Sequence, residues 1–269
     1  MHVELRYFTG TGNSLAIIDT CRSVFQEKGH EVAQKKICLE ERSLPDTDLA
    51  GFCFPVYAFG LPRIARKYLH GLVPAREPVK AFVIITAGDA DESGFSVLEC
   101  ASLLKKKNYI VHYSGVIEMP NNWTVSPKPP YPPSKDEALQ IIGKGVNEAR
   151  IKTAEIVEEV TNLHQFNFPA RYGRLKFWWD YLAFRYMGVG NMWRMFRVYD
   201  SCDGCGLCMK ICPVHSITIK NSKPVWSKAC EQCMRCVNFC PSEAIYQTYG
   251  GDTIGKNRYH LPGFKPLHD

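Results

Sequence analysis

Two cysteine runs near the C-terminus constrain this chain more than any other feature: C-D-G-C-G-L-C-M-K-I-C-P from Cys202 and C-E-Q-C-M-R-C-V-N-F-C-P from Cys230. Each cysteine of the first run recurs 28 positions later in the second, as does the closing proline. Both runs continue into a short apolar segment, S-I-T-I and A-I-Y, so the region is an internal duplication. The spacing C-x2-C-x2-C-x3-C-P has a physical reason. Three closely spaced thiolates can wrap three corners of one iron–sulfur cubane, while the fourth cysteine, beside a proline that redirects the chain, points elsewhere. Structural zinc is the rival. It takes four ligands in a tetrahedron, commonly as paired C-x2-C elements across a longer loop, and needs neither a three-thiol run nor its repetition. The spacing supports iron–sulfur.

These eight cysteines lie within 202–240 of a 269-residue chain that carries twelve in all. A disulfide scaffold calls for an oxidising compartment and a short, cysteine-dense chain. The start, M-H-V-E-L-R-Y-F-T-G, has no basic segment followed by an apolar one, and no uncharged apolar stretch is long enough to span a membrane. The expected compartment is therefore the cytoplasm, where thiolates are available for metal. The other four, Cys21, Cys38, Cys53 and Cys100, fall on predicted helix, strand or their edges and are expected to be buried packing residues. The net charge of +6 is not gathered into a basic run, which argues against a nucleic-acid partner. The eight histidines show no metal-ligand spacing.

The first 120 residues alternate between predicted strands and helices. Strands are expected at 2–8, 31–37, 49–56, 79–88 and 109–119, and helices at about 14–28, 62–72 and 94–107. Runs such as G-F-C-F-P-V and V-K-A-F-V-I-I-T-A-G are those of strands covered on both faces. This alternation implies βαβ units and a parallel sheet. A proline-rich loop follows, and Ser134 with Glu137 forms a capping-box signature for the last helix of this part. That helix carries the stripe Leu139, Ile142, Val146, Ala149, Thr153, Ile156, Val160 and Leu163.

Directly after the first strand stands Thr9-Gly10-Thr11-Gly12-Asn13-Ser14, at the start of a helix. Hydroxyls, two glycines and an exposed helix N-terminus can hold a phosphate dianion through backbone N–H groups without a basic residue. The Walker loop needs G-K-[ST], which is absent, and Leu15 occupies the third glycine position of a dinucleotide fingerprint.

The cysteine module resembles bacterial two-cluster ferredoxins along its whole length. In those proteins the fourth cysteine of each run ligates the other cluster. The resemblance implies cluster I on Cys202, Cys205, Cys208 and Cys240, and cluster II on Cys230, Cys233, Cys236 and Cys212. The phosphate loop resembles the [ST]-x-T-G-x-[ST] loop of flavodoxins, whose sheet runs 2-1-3-4-5 with FMN at the switch point between strands one and three. The expected fold is α/β: a five-stranded parallel sheet of that order, with a second, smaller α+β two-cluster ferredoxin domain. By the same resemblance, FMN is expected on Thr9–Ser14, on a second loop Pro55-Val56-Tyr57-Ala58-Phe59-Gly60, and on a third, Thr86-Ala87-Gly88-Asp89. Tyr57 or Phe59 can stack on the ring or belong to the core. The third loop lacks the aromatic many flavodoxins place there, which leaves the outer flavin face open to substrate or covered by Asn122 or Trp123. Taken together, T-G-T-G-N-S, F-P-V-Y-A-F-G-L-P, M-P-N-N-W at 119–123, the paired cysteine runs and R-Y-H at 258–260 make the chain similar to flavodoxin–ferredoxin fusions (iron–sulfur flavoproteins) found mainly in anaerobes.

The expected division is a flavodoxin-like domain at 1–164, an aromatic helical connector at 165–199, the ferredoxin domain at 200–249 and a tail at 250–269. Residues 171–199 are apolar nearly all round a helix. They read as a helix clamped between two domains rather than as a membrane-surface element. The tail is expected to pack on the surface, with a role in domain docking left open. The functional expectation is electron relay between two [4Fe–4S] clusters and FMN, and on to a redox protein or a small acceptor. The alternative is a redox-sensing or docking module whose clusters are real but whose flavodoxin fold holds no flavin. No acid–base group is placed so as to be called catalytic.

Overall fold

A computed structural model of the chain describes residues 1–44, 47–57, 59–89, 94–129, 131–162, 182 and 190–267. These residues divide by packing into two units. The first is Met1–Thr9, Asn13–Met119 and Gln140–Tyr181, and the second Gly10–Gly12, Pro120–Leu139 and Leu182–Asp269.

In the first unit the strands are β1 (His2–Tyr7), β2 (Glu31–Lys36), β3 (Leu49–Pro55), β4 (Val79–Ala87) and β5 (Tyr109–Glu118). They form one parallel sheet in the order β2-β1-β3-β4-β5. This is the flavodoxin-like topology, as expected. Helices α1 (Asn13–Glu27), α2 (Arg63–Gly71) and α3 (Gly94–Lys105) are the crossovers.

Alternation along each strand sorts side chains onto two faces, and both faces are covered. Phe52, Phe54, Val83 and Ile85 join Tyr68, Leu69, Cys100 and Leu104 in one core. Leu5, Cys53, Phe82 and Ile84 join Ile17, Ile18, Cys21 and Phe25 in the other. Burial on both faces encloses Glu4 and Arg6 of β1 as well, and they pair with each other. Gly51 permits the close approach of β3 to its neighbours. A Cβ there would lie 2.3 Å from Phe82 Cζ and 2.6 Å from Leu5 Cδ2.

Helix α4 (Lys135–Asn162) begins at the expected capping box. The Ser134 N–H donates to Glu137 Oε2 at 2.9 Å, and the Glu137 N–H returns a longer bond to Ser134 Oγ at 3.4 Å. Ala149, Thr153, Ile156 and Val157 are buried, with Ile142 and Val146 partly so. Leu139 is a correction to the expected stripe: it is 55% exposed. It belongs to the first turn of the helix, which groups with the second unit rather than with the sheet. Leu163 lies outside the described residues.

Cys38 is a second correction. Cys21, Cys53 and Cys100 are buried as expected, but Cys38 is exposed. It stands two residues past the end of β2, the edge strand of the sheet.

The second unit holds a short 3-10 turn at Met192–Met195, strands β6 (Phe196–Val198), β7 (Ile217–Lys220), β8 (Lys223–Trp226) and β9 (Ile245–Gln247), and one-turn helices α5 (Leu207–Lys210) and α6 (Arg235–Asn238). β6 pairs with β9 and β7 with β8, both antiparallel. Its core gathers Phe196, Ile217, Trp226, Met234, Val237 and Ile245 with three of the cysteines. The linear division expected from sequence differs here. Pro120–Leu139 joins the second unit because its side chains bond and pack there: Thr124 Oγ1 donates to Asn238 Oδ1 at 2.9 Å, and Gly250 lies flat against the backbone of Val125. Most of the expected connector, residues 163–181 and 183–189, lies outside the described residues. Among the described residues no helix is long and apolar enough to cross a membrane.

Candidate functional site

The duplication read from the cysteines is written into the backbone. Gly204 and Gln232, Gly206 and Met234, and His215 and Glu243 are pairs 28 residues apart, and all six have positive φ. The left-handed residues Gly206 and Met234 start the two one-turn helices, which carry Cys208 and Cys236. Glycine is required at 204, where a Cβ would come within 2.7 Å of the Ser222 carbonyl oxygen.

These turns fold each run around a recess. The first is partly open to solvent and is lined by Cys202, Cys205, Cys208 and Cys240 together with Ile219, Pro241 and Ile245. The second is lined by Cys212, Cys230, Cys233 and Cys236 together with Phe196, Trp226 and Met234. Each recess thus takes three thiols from one run and the fourth from the other. Among the described residues no three His, Cys, Asp or Glu side chains close on a point as around a single ion. The four thiols of each recess stand among apolar side chains. That arrangement and that soft donor set fit a cubane.

The two recesses differ in exposure. Cys205 is exposed and Cys202, Cys208 and Cys240 are partly so, whereas Cys212, Cys230, Cys233 and Cys236 are all buried. Burial pushes the Cys208 thiol up to about 11 and the Cys233 thiol up to about 12, and lifts Cys236 well above its ordinary range. Such thiols keep their protons at neutral pH unless a bound metal displaces them into solvent. Both crossing cysteines accept a backbone N–H: Ser216 N–H to Cys212 Sγ at 3.3 Å, and Ala244 N–H to Cys240 Sγ at 3.4 Å. Hydrogen bonds to sulfur of this kind help set cluster potentials.

The predicted phosphate loop leaves the carboxyl end of β1 and runs into the first turn of α1. Gly12 has φ 108, open only to glycine, so the chain can turn into the helix. Thr9, Thr11 and Ser14 are buried. The Ser14 and Thr86 hydroxyls share a hydrogen bond of 2.8 Å, joining the start of α1 to the end of β4. These hydroxyls, the helix N-terminus and the absence of a basic residue in the loop fit a phosphate bound by hydrogen bonds.

After β3, Val56 donates its N–H to Thr86 O at 3.0 Å, and Tyr57 and Gly60 exchange backbone bonds around a tight turn that includes Phe59 at φ 63. The Tyr57 ring meets Phe8 edge-on at 6.4 Å and packs on the core from its margin. Phe59 is partly exposed, and Ala58 lies outside the described residues. Pro55 and Val56 are partly buried, Thr86 and Ala87 buried, and Gly88 and Asp89 exposed.

Asn122 belongs to the second unit. Its amide Nδ2 donates to Thr11 Oγ1 at 2.9 Å and to Cys233 O at 3.3 Å. Trp123 stacks on Tyr249, with ring centroids 6.4 Å apart. Sequence reasoning missed Arg235 and Asn238, which stand where the first run has Leu207 and Lys210. The buried Arg235 donates from Nε to Gly10 O at 2.6 Å and from Nη1 to Ile211 O at 3.3 Å. Asn238 donates to Asn122 O at 2.9 Å and accepts from Tyr259 N–H at 2.7 Å. The tail continues this packing, with Leu261 N–H donating to Thr11 O at 2.8 Å. The only signal available in sequence was the break in symmetry between the two runs.

Residues 201–254 match the family model of the 4Fe-4S dicluster domain. A ferredoxin of Methanothermococcus thermolithotrophicus is 41% identical over 51 residues, which cover 18% of this chain and 85% of that protein. Among solved structures, azoreductase AzrA aligns with a TM-score of 0.43 at 14% identity, covering 58% of this chain and 100% of its own. Oxidised flavodoxin 2 from Bacillus cereus aligns with a TM-score of 0.40 at 18% identity, covering 58% and 99%. By its C-terminal module the chain belongs to the ferredoxin family, and with the 2-1-3-4-5 parallel sheet that precedes the module it is an electron-transfer fusion of a flavodoxin-like domain and a 4Fe-4S ferredoxin.

Proposed function

We infer that this protein carries two [4Fe–4S] clusters and FMN, and passes electrons between a redox protein and the flavin, which hands them to a protein partner or a small acceptor. The observation that carries this reading is the pair of recesses, each lined by four cysteines drawn three from one run and one from the other. When bound, the clusters exchange single electrons and the flavin one or two, which lets such a protein join one-electron and two-electron chemistry. Cys202, Cys205, Cys208 and Cys240 are the proposed ligands of cluster I, and Cys230, Cys233, Cys236 and Cys212 those of cluster II.

The chain's own residues divide the remaining work. Ile219, Pro241 and Ile245 stand beside the thiols of the first recess, and Phe196, Trp226 and Met234 beside the buried thiols of the second, which they help to shield from water. The exposure of Cys205 supports the first recess as the one that meets a redox partner. For FMN the support is the glycine turn at Gly12, the buried hydroxyls of Thr9, Thr11 and Ser14, and a sheet order whose switch point falls between β1 and β3. On this reading Thr9–Ser14 hold the phosphate, while Pro55–Gly60 and Thr86–Asp89 border the ring.

Rapid mixing of the anaerobic holoprotein with a reduced ferredoxin tests this function. The flavin absorbance should bleach, and Cys205→Ala should slow that bleaching at least tenfold while leaving the flavin bound. Equal rates in the two proteins would contradict the proposed route.

A further inference from the structure

Asn122 Nδ2 donates to two acceptors at once. One is Thr11 Oγ1, in the middle of the phosphate loop, at 2.9 Å; the other is the carbonyl of Cys233, in the middle of the second cysteine run, at 3.3 Å. The residue is itself pinned, because its backbone carbonyl accepts from Asn238 Nδ2 at 2.9 Å, and Asn238 Oδ1 also takes the Thr124 hydroxyl at 2.9 Å. A second tie runs in parallel. Arg235, between Cys233 and Cys236, donates from Nε to the carbonyl of Gly10 at 2.6 Å, with its guanidinium 5.2 Å from the Phe264 ring centre. The first cysteine run has leucine at the place of this arginine and lysine at that of Asn238. The polar ties are therefore particular to the second run, three of whose thiols, Cys230, Cys233 and Cys236, are buried.

We propose that Asn122 is a positioning residue that couples occupancy of the phosphate loop to the electronic state of the Cys233 cluster. The inference rests on the FMN reading above and adds a regulation to it. A threonine hydroxyl has one proton to give and two lone pairs to receive with. Accepting from Asn122 uses a lone pair, leaves the Thr11 proton for a phosphate oxygen, and fixes the direction in which that proton points. Chained hydrogen bonds of this kind polarise one another. A phosphate bound at Thr11 therefore strengthens the polarisation of the amide, and the same amide acts on the carbonyl of Cys233, itself one of the proposed ligands. Hydrogen bonding and local charge around the thiolates are among the factors that set a cluster's potential. Linkage makes the effect reciprocal: if FMN shifts the cluster's reduction, reduction shifts FMN affinity by the corresponding factor.

Full-length protein, loaded with iron anaerobically, tests this by potentiometric titration of both clusters with and without FMN, together with the FMN dissociation constant from flavin fluorescence. In the natural protein, FMN should move the midpoint of one cluster and leave the other in place. Asn122→Ala should abolish that movement and weaken FMN binding roughly three- to tenfold, the worth of about one net hydrogen bond, with iron content unchanged. Thr11→Val keeps Asn122 on Cys233 and removes only the phosphate-loop end. It should abolish the same movement, and it serves where Asn122→Ala fails to take up iron. A cluster midpoint that responds to FMN equally in the natural protein and in Thr11→Val overturns the proposal, as does one that never responds although FMN is bound. A natural protein that binds no FMN overturns the flavin reading itself, and the coupling with it.

Discussion

Cys38 stands just past β2 with its thiol in solvent and donating to Glu40 Oε2 at 2.8 Å, whereas Cys21, Cys53 and Cys100 lie in the two cores of the sheet. Burial pushes the Cys21 thiol up to about 12 and raises Cys53 and Cys100 as well, so none of the three forms thiolate near neutral pH. Brief treatment of the cluster-loaded protein with iodoacetamide at pH 8, read by peptide mass spectrometry, should therefore modify Cys38 alone. Label on Cys21, Cys53 or Cys100 in the folded protein would contradict this burial. The eight cysteines that line the two recesses stood out in sequence because their information is local: a fixed spacing, repeated. The exposure of Cys38 was not, since an apolar neighbour such as Ile37 makes a strand end look the same whether or not a helix covers it.

At the scale of elements, alternation between apolar runs and helical periods was enough to give the five parallel strands, and the capping box marked the start of α4. What was not legible was the fine fit between strands. Gly51 reads as an ordinary glycine in an apolar run, yet Phe82 crosses the space its side chain would fill. Gly51→Ala should cost about 1–3 kcal/mol, the range for forcing an extra methyl group into a packed core. Urea unfolding of the holoprotein followed by far-ultraviolet circular dichroism measures it, and an unchanged midpoint would show that the ring moves aside freely. The stripe of α4 failed at Leu139 for a related reason. Helical period identifies a face, but not which part of a long helix has a partner there.

For the whole molecule, the least legible feature was that the second unit is assembled from three separate stretches, Gly10–Gly12, Pro120–Leu139 and Leu182–Asp269. It is held by hydrogen bonds between residues more than a hundred positions apart, such as Asn122 to Thr11 and Thr124 to Asn238, and polar pairs of that kind leave no periodic trace. The glycine-rich turn at the head of the chain and the cysteine runs near its end thus belong to one packed body. The account as a whole depends on what the two thiol-lined recesses and the phosphate loop hold. The most direct measurement is metal, sulfide and flavin analysis of anaerobically purified protein. It should return roughly eight irons and eight sulfides per chain, the content of two [4Fe–4S] clusters, with stoichiometric FMN released by acid. Zinc in place of iron, about four irons per chain, or no flavin would contradict it.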